Sequence, residues 1–192
     1  MRKLIVSEFV TLDGVMQAPG AEDEDRDGGF EHGGWTLPYW HDDIGASFLS
    51  LMQEVDAILL GRKTYELHAE AFEPMEPGHP FGDALNRPAK YVVSTTLEKP
   101  SWRNTTIIRD DVIGAVRELK ARPGKAIVTD GSSVLVHSLF THGLVDELYL
   151  LVYPVTVGSG KRVLPPDLHT TFTLKSATSY PTGVVRLHYT LR

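Results

Sequence analysis

The sequence predicts a three-layer α/β/α fold with a mostly parallel central sheet and an antiparallel C-terminal hairpin. Short apolar runs alternate with amphipathic segments of helical period, which is typical of a parallel sheet covered by helices. The tail at 171–192, "TFTLKSATSYPTGVVRLHYTLR", instead has two alternating strands around a Pro-Thr-Gly turn. The 192 residues show no internal repeat and no linker, so we expect a single domain over 1–192.

The first half of the chain combines two predicted strands, one predicted helix and two long loops. Residues 3–10, "KLIVSEFV", predict the first strand, and the apolar run at 57–60 predicts the second. Residues 44–55 place apolar side chains at helical spacing. The segments 12–43 and 69–88 are rich in Gly and Pro and have no regular period, so both are predicted to be long loops. Loops of this length inside a compact domain are often functional.

The second half predicts strands that alternate with two helices. The strands are expected at 90–94, 105–109, 125–130 and 146–154. The helix at 112–121 follows Asp110 and Asp111, a residue type that caps helix starts well. The second helix lies within "GSSVLVHSLFTHG" and is expected to end before Gly143.

Composition narrows the class of function. A net charge of −6 and a pI near 5.7 argue against a nucleic-acid partner, because a phosphate backbone attracts a basic surface. The chain has no cysteine, which excludes disulfides, thiolate catalysis and thiolate zinc sites. The apolar run at the N-terminus is broken by Ser7 and Glu8 and is too short for a signal peptide or a membrane span. We therefore expect a cytoplasmic protein with no membrane partner.

An acidic segment partly matches a calcium-binding loop. "DEDRDGGFEHGG" carries Asp23, Asp25, Asp27 and Gly28 at the spacing that opens an EF-hand loop. The twelfth position should be a bidentate Glu, but it is Gly34, and no helical pattern flanks the segment. The prediction is a solvated acidic loop and no metal site.

Three predicted turns place hydroxyls or cations at the ends of strands. They are Gly61-Arg62-Lys63-Thr64, Ser94-Thr95-Thr96 and Gly131-Ser132-Ser133. Each alone could be an ordinary connection between a strand and a helix. Ligands of open parallel sheets bind beyond the carboxyl ends of strands, and helix starts suit phosphate. Together the turns favour a phosphate-bearing ligand, although the chain has neither a P-loop nor a G-x-G-x-x-G sequence.

Over nearly its whole length the chain resembles the dihydrofolate reductase-like superfamily. It is most similar to the bacterial branch related to the reductase domain of the riboflavin-biosynthesis deaminase–reductase. The stretches that carry this resemblance are "SEFVTLDGVM", "WTLP", "ILLGRKTYE", "KYVVSTT", "IVTDGSSVLVHSL" and "GLVDELYLLVYPVTVGSGKRVLP", in this order. The resemblance implies a dihydrofolate reductase-like fold, NADPH as cofactor and a homodimer.

The resemblance also implies which residues bind the cofactor. Gly61, Arg62, Lys63 and Thr64 match the turn that holds the phosphates of NADPH. The other implied cofactor residues are Ser94 and Thr95 near the 2′-phosphate, Gly131, Ser132, Ser133 and Val134 under the pyrophosphate and nicotinamide, and Val15 and Met16 over the nicotinamide. The family's paired glycines at the third turn are Asp130-Gly131 in this chain.

The expected substrate is a small heterocycle related to pteridines, pyrimidines or flavins, reduced by hydride from NADPH. Trp35, Tyr39 and Trp40 could stack on its ring, or could form a hydrophobic lid, and Asp42 or Asp43 could bind a ring N–H. The two aspartates fall several residues late for the acid that folate reduction uses, and the sequence identifies no catalytic residue. The alternative is a protein that binds a pteridine, flavin or nucleotide without turnover.

Overall fold

The structure is a computed structural model that describes residues 1–191, and it contains one eight-stranded sheet. The strands are β1 (Leu4–Thr11), β2 (Val55–Gly61), β3 (Ala89–Val93), β4 (Thr105–Ile108), β5 (Ala126–Thr129), β6 (Glu147–Tyr153), β7 (Phe172–Ser179) and β8 (Val185–Leu191). Their order across the sheet is β4-β3-β2-β5-β1-β6-β8-β7. The first six in this order are parallel to one another, and β8 pairs antiparallel with both β6 and β7. The predicted fold class is confirmed.

Helices cover both faces of the sheet. They are α1 (Asp42–Gln53), α2 (Arg62–Phe72), α3 (Pro80–Asn86), α4 (Val112–Ala121) and α5 (Ser133–Thr141). Because side chains alternate along a strand, Leu4 and Val6 of β1 pack with α4 and α5, whereas Ile5 packs with α1, α2 and α3. Among residues 1–191, no helix is both long and apolar enough to cross a membrane.

The prediction of one long loop over 69–88 is wrong. Helix α2 continues to Phe72, and α3 occupies part of the rest. Pro80 stands at the first position of α3, where its fixed φ suits a helix, and the His79 side chain accepts a hydrogen bond from the N–H of Gly82. The fully buried Lys90 donates from Nζ to three main-chain carbonyls around the end of α3, at 2.8 to 3.2 Å. These contacts at the two ends of α3 stabilise a helix in a segment whose Pro- and Gly-rich composition predicted a loop.

Candidate active site

A cavity of about 900 Å³ opens where the central strands end. Strands β1, β2 and β5 are neighbours and run parallel, so Glu8, Gly61 and Gly131 reach the cavity from the same edge of the sheet. Apolar side chains form part of its wall: Met16, Ile44, Phe48, Phe81 and Leu85. Such a cavity, apolar with a few converging polar groups, is the usual form of a small-molecule site.

Two helices begin at this cavity without a side-chain cap. The starts of α2 and α5 have no capping hydrogen bond from a side chain, and both line the cavity. The other three α-helices are capped by the side chains of His41, His79 and Asp111. The first N–H groups of a helix lack partners within it, so α2 and α5 present donors and a partial positive charge to the cavity.

Reciprocal hydrogen bonds join the two helix starts. The N–H of Gly61 donates to Ser132 Oγ at 2.8 Å, and the N–H of Ser132 donates to Thr64 Oγ1 at 3.0 Å. Gly131 and Ser132 have φ values of +62° and +59°, the left-handed region that is unusual for serine. A β-carbon on Gly131 would lie 2.9 Å from Thr64 Cγ2, so the close approach of the two turns requires glycine there.

Three cations at the cavity, Arg62, Lys63 and Lys161, are paired with carboxylates of the chain. Arg62 bonds Glu66 at 2.8 Å, and Lys63 lies 2.5 Å from Asp27 Oδ2. Lys161 Nζ bridges Asp25 and Asp27, at 2.5 and 2.8 Å. Hydrogen bonds from Lys161 and then Lys63 lower the pKa of Asp27 to about 2.

The acidic segment is largely exposed, as expected of a solvated loop, but ion pairs also tie it to distant parts of the chain. Two lysines far away in sequence bind Asp25 and Asp27 and hold the segment against the cavity. Residues 1–191 contain no group of three or more His, Asp and Glu side chains arranged to hold a metal ion.

A buried acid reaches the cavity from β1. Glu8 is 3% exposed; its Oε2 accepts a hydrogen bond from the N–H of Gly131 at 2.9 Å, and its Oε1 has no partner among residues 1–191. Asp130 and His68 also line the cavity, and His68 Nε2 lies 3.3 Å from Asp130 Oδ2. Burial lowers the pKa of His68, but the hydrogen bond and charge of Asp130 raise it overall.

Most of the predicted cofactor residues converge on this cavity. It is lined by Met16, by Gly61, Arg62, Lys63 and Thr64, and by Gly131, Ser132, Ser133 and Val134. Trp40, expected at the substrate, also lines it and is half exposed. Val15 precedes Met16 in the sequence but does not line the cavity; it is buried against Ala18 and Phe30.

Other predicted site residues lie outside the cavity lining. Trp35 is buried; its Nε1 donates to the Gln17 carbonyl at 2.9 Å, and its ring packs edge-on against Tyr153, as does the ring of Tyr39. A tryptophan in this position stabilises the first loop and is not free to stack on a ligand of the cavity.

The remaining predicted residues lie at other helix and strand ends. Asp42 and Asp43 occupy the exposed first turn of α1. Ser94 follows β3, and its Oγ accepts hydrogen bonds from the N–H groups of Thr96 and Leu97. Thr95 is exposed beside it, on the same edge of the sheet as the cavity.

The cavity lining also includes polar residues that the sequence analysis did not select, among them Glu8, His68, Asp130 and Lys161. Glu8 had a signal in the sequence, because it is the one charged residue of a mostly apolar strand, and charged residues are rarely buried unless they are paired. Lys161 had none, since a lysine in a Gly-rich loop is ordinary. Only the folded chain brings it to Asp27.

The fold and site define a dihydrofolate reductase-like α/β domain with its ligand cavity at the carboxyl ends of the parallel strands. The chain belongs to the RibD C-terminal domain family, whose model matches residues 2–186. Membership of this family relates the chain to the reductase-like C-terminal domain of RibD.

Two sequence relatives and several solved structures are similar to this chain over nearly its whole length. The uncharacterised proteins YyaP and YwjB of Bacillus subtilis are each 28% identical to this chain. Both matches cover 98% of this chain, and they cover 94% of YyaP and 97% of YwjB. A putative riboflavin biosynthesis protein from Shewanella has TM-score 0.75 at 16% identity, with 99% of both chains covered. A pyrimidine reductase-like protein from Corynebacterium diphtheriae has TM-score 0.69 at 15% identity, with 100% and 92% covered.

RibD from Acinetobacter baumannii also shares the fold. Its TM-score is 0.68 at 13% identity, and all of this chain matches 58% of that longer protein. The chain therefore corresponds to one part of that RibD.

Proposed function

We propose that the protein is an NADPH-dependent reductase that transfers a hydride to a small planar heterocycle. The main support for the proposal is that helices α2 and α5 both begin at one cavity, beyond the ends of parallel strands, and that neither start is capped by a side chain. Free N–H groups at helix starts bind phosphate, and family membership supports reductase chemistry.

The residues around the cavity fit the cofactor. The pyrophosphate would lie between the first turns of α2 and α5, where Arg62, Lys63 and Lys161 supply positive charge. Gly131 lets the backbone of one turn approach the other, and Met16 supplies an apolar wall for a nicotinamide ring. When bound, NADPH supplies the hydride; the chain binds and orients the reactants and excludes water.

A second region supports NADPH over NADH. Thr95 is exposed beyond β3, two strands from β5, and the Arg109 guanidinium donates to the carbonyls of Thr95 and Leu97 at 3.5 and 2.8 Å. A guanidinium held at the turn that carries an exposed threonine suits a phosphate monoester. We therefore propose this region for the 2′-phosphate, with Ser94 shaping the turn through its hydrogen bonds.

The substrate region is the apolar part of the cavity. Ile44, Phe48 and Phe81 line it, and the half-exposed Trp40 lies near its edge with its ring 6.4 Å from that of Phe81. Flat apolar walls favour a planar ring, so we propose a pteridine, pyrimidine or flavin-related substrate. Trp35, Asp42 and Asp43 are not part of this region.

The alternative is a binding protein without turnover. It is favoured by the ion pairs that already occupy Arg62, Lys63 and Lys161. NADPH oxidation measured with a panel of pterins, pyrimidines and flavins, beside direct titration of each compound, separates the two functions. Oxidation that depends on one compound supports the reductase. Saturable binding of a compound and of NADPH with no oxidation by any of the panel supports the alternative.

The homodimer is also a proposal, since it rests on the resemblance to relatives. Sedimentation equilibrium at micromolar concentration tests it directly. A mass near twice 21.3 kDa supports the dimer, and a mass near 21.3 kDa that does not change with concentration contradicts it.

A further inference from the structure

One face of α2 carries three side chains on the cavity wall: Thr64, His68 and Phe72. Residues four positions apart lie on the same face of a helix, so the three form a row along α2. Thr64 accepts from the N–H of Ser132, and Phe72 packs against the same apolar cluster as Phe48. His68 therefore lies between the helix starts proposed to bind phosphate and the apolar wall proposed to hold the substrate.

Neighbouring groups hold the ring of His68 in one orientation. The ring packs edge-on against Phe72, with the centroids 5.5 Å apart, and lies 6.3 Å from the ring of Trp102. Nε2 lies 3.3 Å from Asp130 Oδ2, and because an ionised carboxylate only accepts hydrogen bonds, Nε2 carries the hydrogen of this contact. The side chain is 20% exposed, and Nδ1 is neither hydrogen-bonded to any of residues 1–191 nor one of the fully buried atoms that lack a partner. Nδ1 is therefore the nitrogen that remains available to a ligand of the cavity.

Asp130 joins this histidine to the turn at which α5 begins. It directly precedes Gly131, lines the cavity, and has a side chain that is 37% exposed. Within residues 1–191 its one ion pair is with His68, and the charge nearest to it otherwise is that of the acid Glu8. A carboxylate beside a helix start that binds phosphate would repel the anion. The site therefore requires a positive partner for Asp130, and His68 is the group in place.

The charges that face His68 favour its protonated form. They are Asp130, beyond the end of β5, and Glu24 of the first loop. Burial lowers the pKa of His68, but the hydrogen bond and charge of Asp130 and the charge of Glu24 raise it overall above the usual 6.5. Both nitrogens of an imidazolium donate, so the ring keeps Nε2–H on Asp130 and presents Nδ1–H to the cavity. The same contact with Asp130 fixes the tautomer that remains once Nδ1 has lost its hydrogen.

We propose that His68, oriented by Asp130, donates the proton that completes reduction of the heterocycle, a step that rests on the proposed function. Reduction of a C=N or C=O bond adds a hydride to carbon and a proton to the heteroatom. The bound cofactor supplies the hydride. The bond between Nδ1 of His68 and its hydrogen breaks, and a bond between the heteroatom and that hydrogen forms. The neutral imidazole keeps its hydrogen on Nε2 and regains the other from solvent.

Two variants separate this role from a structural one. His68→Gln keeps a polar side chain with an N–H for Asp130, but it has no proton to release. Asp130→Asn keeps the size of the side chain and an oxygen that accepts from Nε2, but it removes the negative charge. His169→Gln, at an exposed histidine outside the cavity, is the control. If His68 only neutralised Asp130 or packed beside Trp102, the variants would change stability or NADPH affinity and leave the pH dependence of kcat intact.

The first measurement uses the protein without cofactor or substrate. It is a pH titration of the histidine ring signals by NMR, in which His68 gives the signal that is missing from His68→Gln. We expect the midpoint of this signal to move to lower pH in Asp130→Asn, because the charge that stabilises the imidazolium is lost. An unchanged midpoint would show that Asp130 does not act on His68 and would overturn the proposal.

The second measurement is the pH dependence of NADPH oxidation with the pterin, pyrimidine or flavin that the parent protein reduces fastest. We expect kcat of the parent to fall as pH rises through the pKa of His68. In His68→Gln, kcat should be lower by about 100-fold to 10 000-fold, with a smaller change in KM and without this fall. In Asp130→Asn the fall should occur at lower pH, and His169→Gln should match the parent.

These outcomes keep the proposal distinct from the proposed function. If the parent oxidises NADPH and His68→Gln retains its kcat and pH profile, the role of His68 is overturned while the reductase function stands. If the parent oxidises NADPH with no compound of the panel, the proposed function fails and the proton transfer fails with it, whatever midpoint the NMR titration gives.

Discussion

Thr64 and Ser132, which follow two neighbouring strands, hold the two turns of the site together. The N–H of Ser132 donates to Thr64 Oγ1 at 3.0 Å, while the Ser132 hydroxyl accepts from the N–H of Gly61 at 2.8 Å. These hydroxyls are therefore engaged with the backbone, and in this arrangement they position the helix starts that would contact phosphate.

The first prediction concerns this link. Thr64→Val keeps the shape of the side chain but leaves the N–H of Ser132 without its acceptor. We expect the free energy of unfolding to fall by about 1 kcal/mol, the usual contribution of one hydrogen bond, because this bond is partly buried. Urea unfolding measures this loss. Thr95→Val, at an exposed position, is the control and should change stability by less than about 0.5 kcal/mol.

The second prediction concerns Gly131, where both backbone conformation and contact require glycine. Gly131→Ala places a β-carbon 2.9 Å from Thr64 Cγ2 at a φ of +62° and should cost about 2–3 kcal/mol. Gly143 has the same φ of +62°, but a β-carbon there would meet no described atom within 4 Å, so Gly143→Ala should cost only about 1 kcal/mol.

A double variant checks the cause of that difference. Thr64→Ser removes the Cγ2 atom that the new methyl group meets, so it should recover part of the stability lost in Gly131→Ala. Strictly additive effects of the two substitutions in thermal unfolding would contradict the contact as the cause.

The third prediction is a dependence of stability on pH that Glu8 causes. Its pKa in the folded protein is raised above the usual 4.5, so the folded protein holds a proton that the unfolded chain has lost. The associated stability is complete below the unfolded pKa and is lost as pH rises through the folded pKa. Glu8→Gln has no such proton, so its stability relative to the parent should increase as pH rises above about 4.5, the usual pKa of a glutamate.

Glu98→Gln, at an exposed glutamate, is the matched control for this series of denaturant titrations. It should show no comparable trend. A difference between Glu8→Gln and the parent that is constant over this pH range would mean that Glu8 titrates normally in the folded protein.

The fourth prediction concerns the contact of Asp27 with Lys63 and Lys161. An anionic ligand at the start of α2 competes with this carboxylate for the two lysines. Asp27→Asn should therefore bind inorganic pyrophosphate more tightly, by about twofold to fivefold at low salt, with a smaller gain at high salt. Isothermal titration calorimetry measures both conditions. Asp23→Asn is the control, since Asp23 lies in the same loop and forms no ion pair within the described part of the chain.

Sequence patterns predicted the fold and two turns that line the cavity. Strands and turns depend largely on the local sequence. The parallel sheet and the turns at Gly61 and Gly131 could therefore be predicted from apolar periodicity and from the turn residues. The positions of Trp35, Glu8 and Lys161 depend on tertiary contacts. A tryptophan in a long loop can face a ligand or the core with equal ease, and the contacts with Gln17 and Tyr153 decide for the core.

The acidic loop illustrates the same limit. Its composition indicates solvation, because acidic residues in a Gly-rich segment usually face water. Lys161 and Lys63 are distant in sequence, and only the folding of the chain brings them to Asp25 and Asp27.

The central claim is that the turn from Gly61 to Thr64 binds the phosphates of NADPH. The most direct test is titration of NADPH and NADH into the parent protein and Arg62→Ala, with Arg117→Ala on the exposed face of α4 as control. Loss of a charge-assisted hydrogen bond should weaken NADPH binding in Arg62→Ala by about 10–150-fold, and Arg117→Ala should match the parent. An equal loss for NADH assigns the contact to the pyrophosphate, and a smaller one to the 2′-phosphate. Unchanged NADPH affinity in Arg62→Ala, or no binding of NADPH to the parent, would contradict the claim.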